Sequence, residues 1–223
     1  MPLDALSARR FYDRIGVLQD TQRFYEVPAV RRLVALGDFE HAEAVVELGC
    51  GTGRFASNLL ENVLRPAATY LALDVSPGMI RLTKQRLAPW ADRARVELLN
   101  PPVESLPGDD GGFDRFVATY VFDLLTTEDS AVLISEAARL LAPGGLLALV
   151  SMTFGTTRGS RFFCSVWNAV AQRRPSLVGG CRPIELSALV SGREWSIRHN
   201  EVLVNYAVPS QVLVAERTTA TSG

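Results

Sequence analysis

The stretch Val45-Val46-Glu47-Leu48-Gly49-Cys50-Gly51-Thr52-Gly53-Arg54-Phe55-Ala56 constrains this chain more than any other. An apolar run ends in an acid, three glycines alternate, and a helical pattern begins. Glycine is required where the backbone turns through positive φ, or where a ligand must approach the chain without meeting a Cβ. The helix N-terminus behind the glycines presents unpaired N–H groups and the positive end of a dipole. A strand, a tight loop and a helix in that order make half of a βαβ unit, so the strand needs parallel neighbours.

Those neighbours are visible. Apolar runs at Ala44–Leu48, Tyr70–Leu73, Val96–Leu99, Phe116–Thr119 and Leu146–Val150 lack strict alternation, as strands buried on both faces do. Helical spacing at Arg54–Leu64, Pro77–Ala88 and Glu128–Leu141 separates most of them. Ser76 is placed to cap the second of these helices, with Pro77 at its first position. Pro143-Gly144-Gly145 ends the third. Asn100–Gly112 is a loop. Trp195–Glu201 and Gln211–Glu216 are joined by a short loop holding Pro209, with no room for a helix, and so pair antiparallel. The expectation is an α/β fold: a doubly wound seven-stranded sheet with an antiparallel terminal strand and an N-terminal helical cap. Within one domain, residues 1–40 form the cap and 41–152 the cofactor-binding core. Residues 153–192 form an acceptor-side insertion, and 193–217 the terminal hairpin.

At 223 residues a single core suffices. Lys plus Arg number 23 against 24 Asp plus Glu, which weighs against a nucleic-acid partner. No apolar run reaches the roughly 18–20 residues that span a bilayer. The start of the chain has no apolar signal-peptide core. Cys50, Cys164 and Cys181 are far apart and make neither a disulfide framework nor a metal cluster. A cytoplasmic protein without a metal site is expected.

Three features accompany the glycine loop: Glu47 before Gly49, Asp74-Val75-Ser76 with Met79 after the second strand, and Phe113-Asp114 leading the fourth. With Leu141-Ala142-Pro143-Gly144-Gly145 before the fifth, this order resembles the class I S-adenosylmethionine-dependent methyltransferases. The likeness is to their small-molecule branch, the ubiquinone/menaquinone-biosynthesis type, and covers roughly residues 40–150. The resemblance implies S-adenosyl-L-methionine as cofactor. It implies that Glu47, Gly49, Cys50, Gly51 and Gly53 hold the methionine part, with Glu47 on the ammonium and loop N–H groups facing the carboxylate. Asp74 then binds the ribose, Val75 and Met79 flank the adenine, and Thr119 lies at the strand-four exit. The family's usual acid after strand three is replaced here by Pro102, which leaves the adenine edge to Val103 with Glu104 or Asn100.

Gly51-Thr52-Gly53-Arg54-Phe55-Ala56 also spells G-x-G-x-x-A, so a nicotinamide-dependent oxidoreductase is the alternative, and a non-catalytic S-adenosylmethionine-binding protein is another. Tyr12 and Tyr25 either close over the cofactor or pack an amphipathic helix. Asp123, following strand four, is the candidate base, or else caps a turn. His41 is expected on the surface and His199 near the end of a late strand.

The acceptor is expected to be a small organic molecule. No Asp/Asn-Pro-Pro-aromatic motif follows strand four, where the chain reads Ala118-Thr119-Tyr120-Val121, and no Asp-Asn metal pair follows strand five. Tyr120, Arg158, Trp167 and Arg182 are candidate acceptor contacts. Aromatics wall an apolar pocket, and arginines bind an anionic handle. The alternative is a solvated helix packed by Trp167, with Arg182 bracing a turn.

Overall fold

The computed structural model describes residues 23–156, 181–190 and 192–218. Twelve elements follow in order: α1 (Arg23–Leu36), β1 (Ala44–Leu48), α2 (Arg54–Asn62), β2 (Thr69–Asp74), α3 (Pro77–Leu87), β3 (Ala94–Leu98), β4 (Phe113–Thr119), α4 (Thr127–Leu140), β5 (Leu141–Met152), α5 (Leu186–Leu189), β6 (Trp195–Asn205) and β7 (Val208–Arg217). The seven strands form one sheet in the order β3-β2-β1-β4-β5-β7-β6. The first five are parallel, and β7 runs antiparallel between β5 and β6. This is the expected Rossmann-like methyltransferase architecture.

Alternate residues of each strand supply two cores, one on each face of the sheet. Val45, Ala72, Val117, Val150 and Val214 meet Ala29 and Leu33 of α1, Ala56 and Leu59 of α2 and Ile80 of α3. Val46, Leu73, Phe116, Leu149 and Leu213 meet Leu133, Ile134 and Ala137 of α4 and Leu186 of α5. Burial on both faces explains why these strands read as continuous apolar runs.

Local signals place the ends of the elements. Ser76 Oγ accepts from Met79 N at 3.3 Å, capping α3 with Pro77 in its first turn. Thr126 Oγ1 does the same for α4, accepting from Asp129 N at 3.0 Å. Asp114 accepts from Glu43 N at 2.8 Å and Ala44 N at 3.2 Å, tying the start of β1 to the start of β4.

Two details differ from expectation. α4 ends at Leu140, and Leu141 already pairs with Phe113; the Pro-Gly-Gly segment loops out before pairing resumes at Arg115 and Leu146. Pro209 lies inside β7 opposite Val204, and its carbonyl accepts from Thr153 N at 3.0 Å. The hairpin is closed by Tyr206 and Ala207 alone, with φ of 49° and 66°, the two-residue left-handed turn that matches strand twist. No helix among the described residues is long and apolar enough to cross a membrane.

Candidate functional site

Because β1, β2 and β4 are parallel, Leu48, Asp74 and Thr119 end at one edge of the sheet, where ligands of doubly wound folds bind. The glycine loop crosses that edge under tight restraint. Gly49 N and Cys50 N both donate to Leu73 O, at 2.8 and 2.9 Å. Gly51 N donates to Asp74 Oδ2 at 2.8 Å, and Gly53 N to Cys50 O at 2.9 Å. From below, Thr83 Oγ1 donates to Gly51 O at 2.8 Å, and Arg86 donates to Thr52 O. Gly49, Gly51 and Gly53 all have positive φ, for which glycine is the natural residue.

The glycines are needed for different reasons. A Cβ on Gly49 would come within 2.4 Å of Val121 Cγ2, and one on Gly53 within 2.9 Å of Thr83 Cγ2. A Cβ on Gly51 meets nothing within 4 Å. Only at Gly51 does the missing side chain open onto the site.

The site is a cavity of about 770 Å³, in the range of small-molecule sites. Glu47, Gly49, Cys50 and Gly51 form its floor, with Asp74, Val75 and Met79 on the β2 side. Pro101, Pro102 and Val103 continue that wall, and Thr119 and Tyr120 border it at the β4 exit. These cofactor candidates, with the acceptor candidate Tyr120, are brought together. Gly53 and Glu104 do not line the cavity, and neither do Asp123 and Arg182. Tyr12, Arg158, Trp167 and the side chain of Tyr25 lie outside the described residues.

Glu47 is 1% exposed, and its only donor among the described residues is Tyr70 Oη, at 2.8 Å from Oε2. Burial pushes its carboxyl up to about 8; the Tyr70 hydrogen bond opposes the shift and the Asp74 charge adds to it. A buried acid short of donors suits a ligand that brings a cation. Asp74 is also largely buried, and its Oδ1 accepts from Ser76 N at 2.9 Å. It lines the cavity, where a carboxylate can accept from a sugar hydroxyl. Cys50 donates its thiol to Thr83 Oγ1 at 3.7 Å, and burial raises its pKa well above the usual value.

Tyr120 holds φ of +56°, rare for an aromatic residue, and its Oη pairs with Ser210 Oγ at 2.8 Å. Burial, first of all, holds its phenol well above the ordinary range. Asp123 lies just behind it, 1% exposed. Its Oδ2 accepts from Met152 N at 3.4 Å, its carbonyl accepts from Arg182 N at 2.9 Å, and its Oδ1 has no partner among the described residues. Burial pushes this carboxyl up to about 7. Arg182 turns back to donate to Leu125 O at 2.6 Å. His41 is exposed beside Asp38, before β1, and His199 lies in edge strand β6.

Several lining residues carry no sequence motif. Glu26, Val27, Val30 and Arg31 share one face of α1, and Arg54, Phe55 and Asn58 share one of α2. The spacing was the only signal available. Which wall a helix face meets depends on how the elements pack.

A family description, the methyltransferase domain, matches residues 45–145. The malonyl-[acyl-carrier protein] O-methyltransferase of Geobacter sulfurreducens is 30% identical over 156 residues, 69% of this chain and 56% of that protein. This chain spans little more than half the length of the curated relatives it matches over most of its own. Among solved structures, the [4+2]-cyclase SpnF superposes with a TM-score of 0.74 at 16% identity, over 99% of this chain and 98% of that one. The N-methyltransferase NodS from Bradyrhizobium japonicum, solved with S-adenosyl-L-homocysteine, gives a TM-score of 0.64 at 17% identity, over 85% and 86%.

Proposed function

We propose, from the methyltransferase-domain match over residues 45–145 and the cavity described above, that this chain is a class I S-adenosylmethionine-dependent methyltransferase that transfers a methyl group from S-adenosylmethionine to a small organic acceptor by in-line displacement. The observation that carries the reading is the meeting of Glu47, Gly51 and Asp74 with the β4 exit around one cavity. The cofactor supplies a methyl group already activated on a sulfonium sulfur; the acceptor atom bonds to that carbon as the carbon–sulfur bond breaks, leaving S-adenosylhomocysteine. Glu47 takes the ammonium, Asp74 the ribose hydroxyls, and Val75, Met79 and Val103 the adenine. The chain's work is then alignment, with reacting atoms held roughly 3 Å apart.

Thr119 and Tyr120, which line the cavity at the β4 exit, stand where the acceptor approaches. Asp123 enters as a positioning residue, its carboxylate holding Met152 N and its carbonyl Arg182 N, since it does not line the cavity.

Calorimetry with S-adenosylhomocysteine and with NAD tests the binding half of this reading. An acceptor screen that follows release of S-adenosylhomocysteine tests the transfer half. Binding of NAD without S-adenosylhomocysteine would overturn both. Binding without release across O-, N- and C-acceptors would overturn transfer alone.

A further inference from the structure

The end of β3 brings no acid to the cavity. Pro101, Pro102 and Val103 line that wall, while Asn100 and Glu104 on either side of them do not. The side chains expected at the adenine edge are therefore not among those that face it. That edge presents two unlike groups side by side, an amino group that donates and a ring nitrogen that accepts. Prolines have no N–H, so Val103 N–H is the donor this wall offers the ring nitrogen. None of the three side chains can accept from the amino group.

The opposite wall has a group that can. Leu125, Thr126, Asp129 and Leu133 come to the cavity from the turn after β4 and the first turns of α4. The Thr126 hydroxyl oxygen already accepts from Asp129 N. Among the described residues the Asp129 carboxylate has no partner. The way the β3–β4 loop lies along α4 brings the two walls together. Leu106 N donates to Glu136 Oε2 at 2.7 Å, and Arg139 Nη2 donates to Leu106 O at 2.8 Å. Asp129, Leu133 and Glu136 follow at the spacing of one helix face. From Glu136 back to Asp129 the helix axis rises about 10 Å, and from Leu106 back to Val103 an extended chain covers about the same. Both lead to the cavity, where Val103, Val75 and Leu133 belong to one apolar cluster. Asp129 thus reaches the cavity at the level of Val103, with Val75 beside them.

We propose that Asp129 of α4 accepts a hydrogen bond from the adenine amino group and takes the part of the acid that β3 does not supply, selecting the cofactor's base. Val103 N–H meets the ring nitrogen next to it. Acceptor and donor come from opposite walls, so the bound base bridges the β3–β4 loop and α4. A carboxylate at that position favours an amino group over a carbonyl, which would set two acceptors face to face. The assignment rests on the methyltransferase reading above.

The test compares S-adenosylhomocysteine with its purine analogue, in which hydrogen replaces the amino group of the base. Asp129→Ala should weaken S-adenosylhomocysteine on the order of 3- to 10-fold, the scale of a charge-assisted hydrogen bond discounted for exposure. It should leave the purine analogue within about twofold. Asp129→Asn keeps an acceptor oxygen and should recover part of the loss. Glu104→Ala, which removes the first acid after β3, should change neither ligand by more than about twofold. Both positions are exposed, and thermal melts check that each variant folds. An unchanged ratio of the two affinities in Asp129→Ala would overturn the proposal, whether both ligands are kept or both lose equally. Equal loss would mean that the first turn of α4 had loosened. A loss confined to S-adenosylhomocysteine in Glu104→Ala would overturn it as well, by returning the role to the end of β3. A wild-type chain that binds neither ligand would bring down the methyltransferase reading itself.

Discussion

Asp74, the last residue of β2, accepts a hydrogen bond from the Gly51 N–H at 2.8 Å, so one carboxylate both fixes the middle of the glycine loop and faces the cavity. Its second oxygen holds Ser76 N at 2.9 Å, at the entry to α3. Removing it should therefore cost more than a ribose contact. Asp74→Ala is expected to weaken S-adenosylhomocysteine binding by about 1.5–3 kcal/mol, the scale of hydrogen bonds to a charged group. Asp74→Asn, which keeps one acceptor, should lose less. Calorimetry giving equal affinities for wild type and Asp74→Ala would remove Asp74 from the site.

Gly51 and Gly53 should respond differently to a side chain. Both have left-handed φ, which costs a non-glycine residue about 1–2 kcal/mol. At Gly53 the new Cβ also lies 3.1 Å from Thr83 Cα, a backbone atom that cannot step aside. Gly53→Ala should lower the melting temperature more than Gly51→Ala. Gly51→Val should fold and lose cofactor affinity, because its branches extend into the cavity. Melting curves and calorimetry on the same samples decide the matter; unchanged affinity in a folded Gly51→Val protein would refute it.

Burial holds the Glu47 carboxyl up at about 8 in the folded chain, against 4.5 for the solvated group. Between those values the folded chain keeps a proton that the unfolded chain has lost, so stability falls as pH rises through that window and levels off above it. Glu47→Gln should flatten the slope. Tyr70→Phe should push the pKa higher, because it removes the hydrogen bond that favours the ionised form. Cofactor ammonium should draw the carboxylate into its charged form, so binding near pH 7 should release a proton. Calorimetry in two buffers of different ionisation enthalpy reads that proton directly.

Asp123 is shifted in the same sense, to about 7 from 3.8, again chiefly by burial. Asp123→Asn should become increasingly more stable than wild type as pH rises from about 4 to 7, by about 2–4 kcal/mol at the plateau. Urea melts across that range provide the check. A variant less stable than wild type at every pH would mean that the charged carboxylate is used where it stands.

Cofactor binding should survive chelation. Asp38, Glu40 and His41 form the acid–histidine group found among the described residues, and it sits before β1, with Asp38 paired to Arg115 at 3.0 Å. The cavity is at the other end of that strand. S-adenosylhomocysteine affinity that fell in excess chelator and returned with magnesium or zinc would contradict this.

The parts legible in the sequence are those decided within a few residues. β1 begins and ends where its apolar run does, and the Ser76-Pro77 cap forms as its residue types require. What escaped was decided between elements. Tyr206-Ala207 closes a two-residue hairpin without the Asn or Gly that marks such turns, because strands already registered by burial impose it. Asp123 stands at the right place in the chain, but the turn at Phe122–Leu124 sends its carboxylate inward to Met152 N. Arg31 is an ordinary arginine on an ordinary helix until the packing of α1 makes it line the cavity. Nor can a string of glycines reveal which of its N–H groups are already engaged.

The insertion of β7 between β5 and β6 sets an order of events for the newborn chain. β1 to β5 can pair as they leave the ribosome, but β6 emerges before the strand it must pair with. α1 precedes every strand, yet it packs through Ala29 and Leu33 into the same apolar cluster as Val212 and Val214 of β7. The wall that carries Glu26 and Arg31 therefore lacks part of its seat until synthesis has passed Val214. Such long-range closure is slow and leaves apolar surface open meanwhile. The cofactor pocket is completed by a strand made after its own neighbour β6, and ligand can stabilise the protein fully only once that strand has slid into place.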